Sequence, residues 1–169
     1  MTAELIEMPA WRGTTEITEG RLTAEAWVRA LLERVEEREP EVRAWACLDG
    51  ESALQSARES DSRSQRSLLR GVPFGIKDII DTADLPTEYG SSIYRGHRPP
   101  GDAACVAMLR AAGAVPLGKT VTTEFALLTP PETRHPEDPA STPGGSSSGS
   151  AAAEREQRPC RLIEAARRT

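Results

Sequence analysis

The sequence predicts an α/β fold. Three observations point there: apolar residues at helical spacing over 22–38, strand-like apolar runs at 68–82 and 114–117, and helix-favouring stretches around them. Strands that alternate with helices in this way build layers in which helices cover a sheet.

The elements follow in chain order. Thr23 can cap the helix over 22–38, Glu25 falls in its first turn, and Trp27, Ala30, Leu31 and Val35 mark its apolar stripe. Pro40 is expected to close it, since proline lacks the amide that a helix interior needs. Val42 to Leu48 reads as a candidate strand. Residues 51–67 are polar enough for a solvated helix or a loop. Leu68 to Thr82 is a strand-like run broken by Gly71, Pro73 and Gly75. Asp102 can cap a helix through Ala112, with Gly113 as its terminator. Ala114 to Leu117 reads as a short buried strand. Residues 130–143 hold five prolines and predict an extended loop. Gly144 to Ser150 is glycine and serine throughout, and a helix is expected to begin at Ala151–Ala153. This divides the chain into an N-terminal helical region (1–67), a core (68–153) and a charged tail (154–169).

Composition narrows the function. At 169 residues, 38% hydrophobic and 28% charged, the chain suits one soluble domain. Its net charge of −5 and pI near 5.2 argue against a nucleic-acid binder. No run approaches the roughly 18 apolar residues of a membrane span, so no membrane partner is expected. The first residues, Met1-Thr-Ala-Glu-Leu-Ile-Glu7, lack the basic and apolar regions of a signal peptide, which makes the cytoplasm the expected address. Cys47, Cys105 and Cys160 are odd in number and widely spaced, fitting neither a disulfide framework nor a zinc site. Of 21 basic residues only Lys77 and Lys119 are lysines, so each invites the question why an amine stands there.

Two segments carry possible chemistry. In Gly71-Val-Pro-Phe-Gly-Ile-Lys77-Asp78, Lys77 is flanked by Phe74, Ile76, Ile79 and Ile80. Burial disfavours an ammonium, so such a lysine falls below its usual pKa of about 10.4 and becomes a usable base. A lysine that snorkels to the surface or pairs with Asp78 is the alternative, although a strand would turn Asp78 to the opposite face. In Pro143-Gly-Gly-Ser146-Ser147-Ser148-Gly149-Ser150, the glycines let backbone amides approach a substrate and the hydroxyls offer a nucleophile or proton relay. A following helix would aim its positive end at developing negative charge. The alternative is a flexible Gly/Ser linker.

Taken together the two segments match one family in order and in detail. From Gly71 to Ala153 the chain resembles the amidase signature family. The matching pieces are Gly71–Asp78, the Thr87-to-Ser91 turn, Ala111–Thr120, Thr123-Glu124-Phe125-Ala126 and Pro143–Ser147, and residues 22–38 resemble the family's N-terminal helix. The resemblance implies the N-terminal part of a mixed sheet covered by helices. It implies a Ser–Ser–Lys triad in which Lys77 is the catalytic lysine and Ser146, held by a cis peptide bond, is the bridging serine. Lys119 is expected to be structural. Gly144, Gly145 and Ser147 become the substrate-side candidates. The implied activity is hydrolysis of a small carboxylic amide through an acyl-serine intermediate, with neither metal nor organic cofactor. The family also includes the glutaminase-like subunit of a tRNA-dependent amidotransferase.

Ser148, where many members have glycine, is a small departure. The large one follows Ala153, where the family continues to a Gly-Gly-Ser turn bearing the nucleophile, roughly two dozen residues past the bridging serine. Residues 154–169 instead hold arginine and glutamate and neither glycine nor serine. The expectation is an N-terminal part cut before its nucleophile by a frameshift. By itself it would be inactive and marginally stable, and a non-enzymatic remnant is the rival reading. Nothing around Cys160 supports it as a substitute nucleophile.

Two other motif matches compete. Gly113-Ala-Val-Pro-Leu-Gly-Lys119-Thr120 satisfies a phosphate-loop pattern, but such a loop follows a strand and opens a helix, the reverse of the order expected here. Gly145-Ser-Ser147-Ser-Gly149 satisfies a nucleophile-elbow pattern, but His97 and His135 both precede the serine and no strand leads into it.

Overall fold

The computed structural model describes residues 2–63 and 67–156. Two short helices, α1 (Thr2–Ile6) and α2 (Ala10–Thr18), lead into the long α3 (Ala24–Val42). The start of α3 is doubly capped. Thr23 Oγ1 accepts from the Ala26 amide at 3.1 Å, and the Asp61 carboxylate takes the Ala24 and Glu25 amides at 2.7 and 3.1 Å.

Pro40 does not close α3; the helix runs through it to Val42. Two compensations offset the missing amide. Val42 is buried at 2% exposure, and Arg43 takes a left-handed cap with φ 54° while the Glu39 carboxylate accepts from Ala44 and Trp45 at 3.0 and 2.8 Å. Only Trp45–Leu48 then forms β1.

The polar stretch after it is a helix, α4 (Gly50–Ser62), started by Asp49 accepting the Ser52 amide at 3.0 Å. Its polar composition hides a narrow stripe in which Ala53 and Ala57 are buried. Residues 64–66 of the predicted segment lie outside the described residues. The broken apolar run narrows to β2 (Pro73–Lys77), with proline at the first position, where a missing donor is tolerated. Helix α5 (Ala104–Ala111) is not capped by Asp102. That carboxylate instead accepts the Ala83 amide at 2.8 Å and pairs with Arg110 at 3.1 Å, tying the helix to the preceding loop. Gly113, at φ 91°, does end the α5 region.

Strand β3 (Val115–Thr120) reaches past the predicted apolar run, because Gly118, Lys119 and Thr120 pair with Leu48, Cys47 and Trp45. The sheet order is β1-β3-β2, with β3 antiparallel to β1 and parallel to β2. It is therefore the expected mixed sheet. Every residue of β2 and β3 is buried, as in a sheet covered on both faces. Trp27, Val28 and Leu31 of α3 pack with Ala53, Ala57, Val115 and Leu117 in the main core. The Trp27 indole nitrogen donates to the Leu5 carbonyl at 3.0 Å. On the other side Phe74 and Ile76 pack with Val106 and Ala114.

Residues 130–143 form the expected loop, with one isolated bridge between His135 and Asp138. Helix α6 (Ser148–Glu156) starts three residues before the expected alanines. Its Ala152 and Ala153 pack on Val42 and Ala44. Glu156 meets Arg34 and Arg38 of α3 at 2.8 and 3.1 Å. The rest of the tail, Cys160 included, lies outside the described residues.

Candidate active site

Lys77 is the last residue of β2 and is 5% exposed. Snorkelling is thereby excluded, and the neighbouring Asp78 has another lysine to face. The Lys77 Nζ donates to Ser146 Oγ at 2.6 Å. Asp78 faces Lys119, with Nζ and Oδ1 3.5 Å apart.

Ser146 is held from several directions. The Gly145–Ser146 peptide is cis, as the resemblance implied. The Ser146 carbonyl accepts from the Thr123 amide at 2.9 Å and from Thr122 Oγ1 at 3.2 Å. Ser148 Oγ donates back to the Gly144 carbonyl at 2.5 Å, and Thr120 and Ser150 share a buried hydroxyl pair at 2.8 Å. A Gly/Ser linker would show none of this, since its value lies in leaving backbone groups to water. Here Ser147, Ser148 and Ser150 are all buried, and the segment is a packed turn opening α6.

Gly149 is what allows that packing. Its amide donates to the Val121 carbonyl at 2.9 Å. A Cβ there would lie 2.2 Å from the Ala44 carbonyl oxygen and 2.3 Å from the Val121 nitrogen, both backbone atoms. Glycine to alanine inside a helix ordinarily stabilises by about 1 kcal/mol. At this position Gly149→Ala should instead destabilise by about 1–3 kcal/mol through overpacking, measured by urea denaturation. A variant as stable as the parent would show that α6 does not pack this closely.

Lys119 is completely buried and serves a different purpose. Its ammonium donates to Thr87 Oγ1 at 2.5 Å, the Ile80 carbonyl at 2.8 Å and the Pro86 carbonyl at 3.3 Å. Burial pulls the Lys119 amine down from its ordinary pKa and pushes the Asp78 carboxyl up, and each charge partly opposes the other's shift. Asp78 also accepts the Glu88 amide at 3.2 Å. The pair thus pins the 80–88 loop beside β2. A fully enclosed lysine within a strand, spent on carbonyls, cannot cradle phosphate, which removes the phosphate-loop reading. The elbow reading fails as well, because Ser147 is buried at the start of α6 with loop before it.

The loop after Pro86 reaches the segment after β3. Phe125 donates its amide to the Tyr89 carbonyl at 2.8 Å, and Ser91 Oγ donates to Glu124 Oε1 at 2.7 Å. Phe125 and Ala126 adopt left-handed conformations, φ 49° and 57°. The Tyr89 hydroxyl donates to Asp81 at 2.8 Å, which pushes its pKa up to about 12. A folded pKa above the ordinary 10.0 means that this bond's stabilisation is complete below pH 10 and is lost as pH rises through 12. Absorbance titration of the chain's two tyrosines should show one ionising near 12, and Asp81→Asn should bring that midpoint down. An unchanged midpoint would refute the assignment.

A cleft of about 360 Å³ opens at Ser146. Gly144, Gly145, Ser146 and Ser148 line it, together with Ala126, Leu127, Leu128 and Pro130. Ser147 is not part of the lining. Thr122 and Thr123, which clamp Ser146, and the two leucines were missed from sequence. The only hint was a pair of β-branched hydroxyl residues beside the Glu-Phe-Ala motif. No group of metal-ligating side chains occurs among the described residues, and no helix there is long and apolar enough to cross a membrane.

Known proteins are similar to this chain. A family model described as Amidase matches residues 26–153. The chain is 44% identical over 149 residues to a glutamyl-tRNA(Gln) amidotransferase subunit of Chloroflexus aggregans, covering 82% of this chain and 30% of the relative. It is 39% identical to the putative amidase AmiD of Mycobacterium tuberculosis, covering 86% and 31%. Among solved structures, the peptide amidase of Stenotrophomonas maltophilia superposes with a TM-score of 0.80 at 34% identity, over 87% of this chain and 34% of that one. The chain thus spans about a third of the length of the relatives it matches. A match over residues 26–153 takes in most of the chain and both halves of the Lys77–Ser146 pair, and the chain belongs to the amidase family.

Proposed function

We propose that this chain carries the proton-relay half of an amidase active site, in a protein that hydrolyses a carboxylic C–N amide bond. The observation that supports the reading is the 2.6 Å contact between the buried Lys77 amine and the hydroxyl of Ser146, a residue that lines a cleft. In the working direction a neutral Lys77 takes the Ser146 proton, and Ser146 takes the proton of a second serine, which attacks the amide carbonyl. The relay then returns the proton to the leaving nitrogen, and water releases the acyl group from the serine. That attacking serine is not among the described residues. The amine lone pair acts as the base, so the reading needs neither metal nor organic cofactor. Gly144 and Gly145, on the cleft wall, are the backbone against which the substrate amide would rest; Ser147 supports the turn from behind. Free Cys47 and Cys105 fit a reducing cytoplasm.

The 44% identity to a component of an amidotransferase favours a second reading, a glutaminase subunit working with partner chains. With a net charge of −5, this chain would leave tRNA binding to those partners.

The test is ammonia release by a chimera in which residues 1–153 are followed by the remainder of a curated relative. Hydrolysis that disappears in both Lys77→Ala and Ser146→Ala supports the relay; hydrolysis retained in either rejects it.

A further inference from the structure

Thr122 lies behind the Lys77–Ser146 pair. It is 2% exposed and, unlike Thr123, is not part of the cleft lining. Its two branches face different neighbours. The hydroxyl donates to the Ser146 carbonyl at 3.2 Å, and the methyl packs toward the 87–91 turn, where Gly90 has φ 67°. A Cβ on Gly90 would lie 3.1 Å from that methyl and 2.7 Å from the Thr122 carbonyl oxygen, so glycine is what leaves the room. A threonine side chain is stiff about χ1, and seating its methyl against the turn aims its hydroxyl.

The same turn is tied to the strand that carries the lysine. The Tyr89 amide donates to the Asp78 carbonyl at 3.0 Å, and the Asp78 amide donates to the Thr120 carbonyl at 2.9 Å. Asp78 follows Lys77 directly. The turn therefore bears on both partners, on Lys77 through the backbone of Asp78 and on Ser146 through Thr122.

The Ser146 carbonyl has two lone pairs and takes two donors, the Thr122 hydroxyl and the Thr123 amide at 2.9 Å. Any residue except proline would supply the amide at 123. The hydroxyl depends on the side chain at 122. Held by both, Ser146 presents its Oγ 2.6 Å from the Lys77 nitrogen, a distance over which a proton can pass.

We infer that Thr122 is a positioning residue: its hydroxyl sets the Ser146 backbone so that Oγ stays within proton-transfer reach of Lys77. This rests on the relay reading of Lys77 and Ser146.

NMR of the 169-residue chain with isotope-labelled lysine tests it, because Lys77 and Lys119 are the only lysines and each gives its own side-chain signal. Lys77→Arg identifies which signal is which. Thr122→Val keeps the shape and removes the hydroxyl, so it should shift the Lys77 signal and leave that of Lys119, which faces Asp78, in place. Thr122→Ser restores the hydroxyl and should return the Lys77 signal toward its parental position. An unmoved Lys77 signal in Thr122→Val overturns the inference. Movement of both lysine signals also overturns it, since that marks a general loosening, and so does a serine variant that behaves like valine. Ser146→Ala separates this inference from the relay itself, because there the Lys77 signal must move. If it moves there but not in Thr122→Val, only the role of Thr122 falls; if Ser146→Ala leaves it unmoved, the relay reading falls too.

Discussion

Lys77→Ala is expected to lower amide turnover by about 10²–10⁴ in the completed chimera, the range that a positioned general base contributes. The expectation comes from geometry. Lys77 ends an enclosed strand, is 5% exposed, and has the Ser146 hydroxyl 2.6 Å from its nitrogen. Removing the amine leaves the relay with no acceptor, and among the described residues no basic side chain lines the cleft to replace it. Lys77→Arg should be nearly as damaging, because a guanidinium holds its proton at any working pH and cannot act as a base. Both variants should lower kcat with KM little changed, since the amine acts on the proton rather than on the substrate's bulk. A far-ultraviolet spectrum and a melt like the parent's would show that the loss is chemical. Near-parental turnover in either variant would reject Lys77 as the base.

Lys119→Met should have the largest effect on folding, in the chain as it stands. Lys119 is fully enclosed and faces Asp78, itself 2% exposed, while donating to Thr87 and the Ile80 and Pro86 carbonyls. Methionine fills a similar volume but leaves a buried carboxylate without the Lys119 charge and takes the lysine's donors from the Pro86 and Ile80 carbonyls, of which Ile80 keeps Thr87 Oγ1. Breaking a buried pair from one side costs about 3–5 kcal/mol. Against a typical stability of about 5–15 kcal/mol, that is enough to unfold much of the population. Adding Asp78→Asn should recover part of the loss, because the stranded charge is then gone.

The pH dependence has a definite sign. Burial already raises the Asp78 carboxyl above 3.8, and Lys119 is the chief influence holding it down. Without that cation the folded-state value rises further, so the native state binds its proton more tightly than the unfolded chain does. Lys119→Met should therefore be relatively more stable below pH 3.8 and lose that advantage as pH climbs through the raised value. Urea denaturation across the acid range would check this. Lys119→Met as stable as the parent at neutral pH would show that the pair is dispensable.

Much of the framework was legible because it follows from local rules. Helix α3 could be read from the spacing of Trp27, Ala30, Leu31 and Val35 and from the Thr23 cap, since a helix repeats its contacts every few residues. Strand β3 could be found from the run after Gly113, and Gly113 itself from its place at the end of α5. The Lys77 and Ser146 segments were recognisable as motifs, and motif order was enough to expect different roles of the two lysines.

Where expectation and structure part, partners distant in the chain decided the outcome. Pro40 stays inside α3 because Val42 finds a core and Glu39 caps the residues beyond. Asp102 abandons a helix cap because Ala83 and Arg110 offer it better partners. The stretch from 51 to 62 becomes a helix because α3 gives its two buried alanines a surface to meet.

The sequence by itself determined the alternation of elements, the family, and which lysine and which serine to examine. Those rest on periodicity and motif order, which are properties of neighbouring residues. Only the tertiary structure decided that Lys77 reaches Ser146 while Lys119 takes Asp78, and that Ser147 turns inward. It also brought Leu127 and Leu128 to the cleft. Lys77 and Ser146 stand 69 residues apart in the chain, and a hydrogen bond of 2.6 Å between them exists only once β2, β3 and α6 have packed.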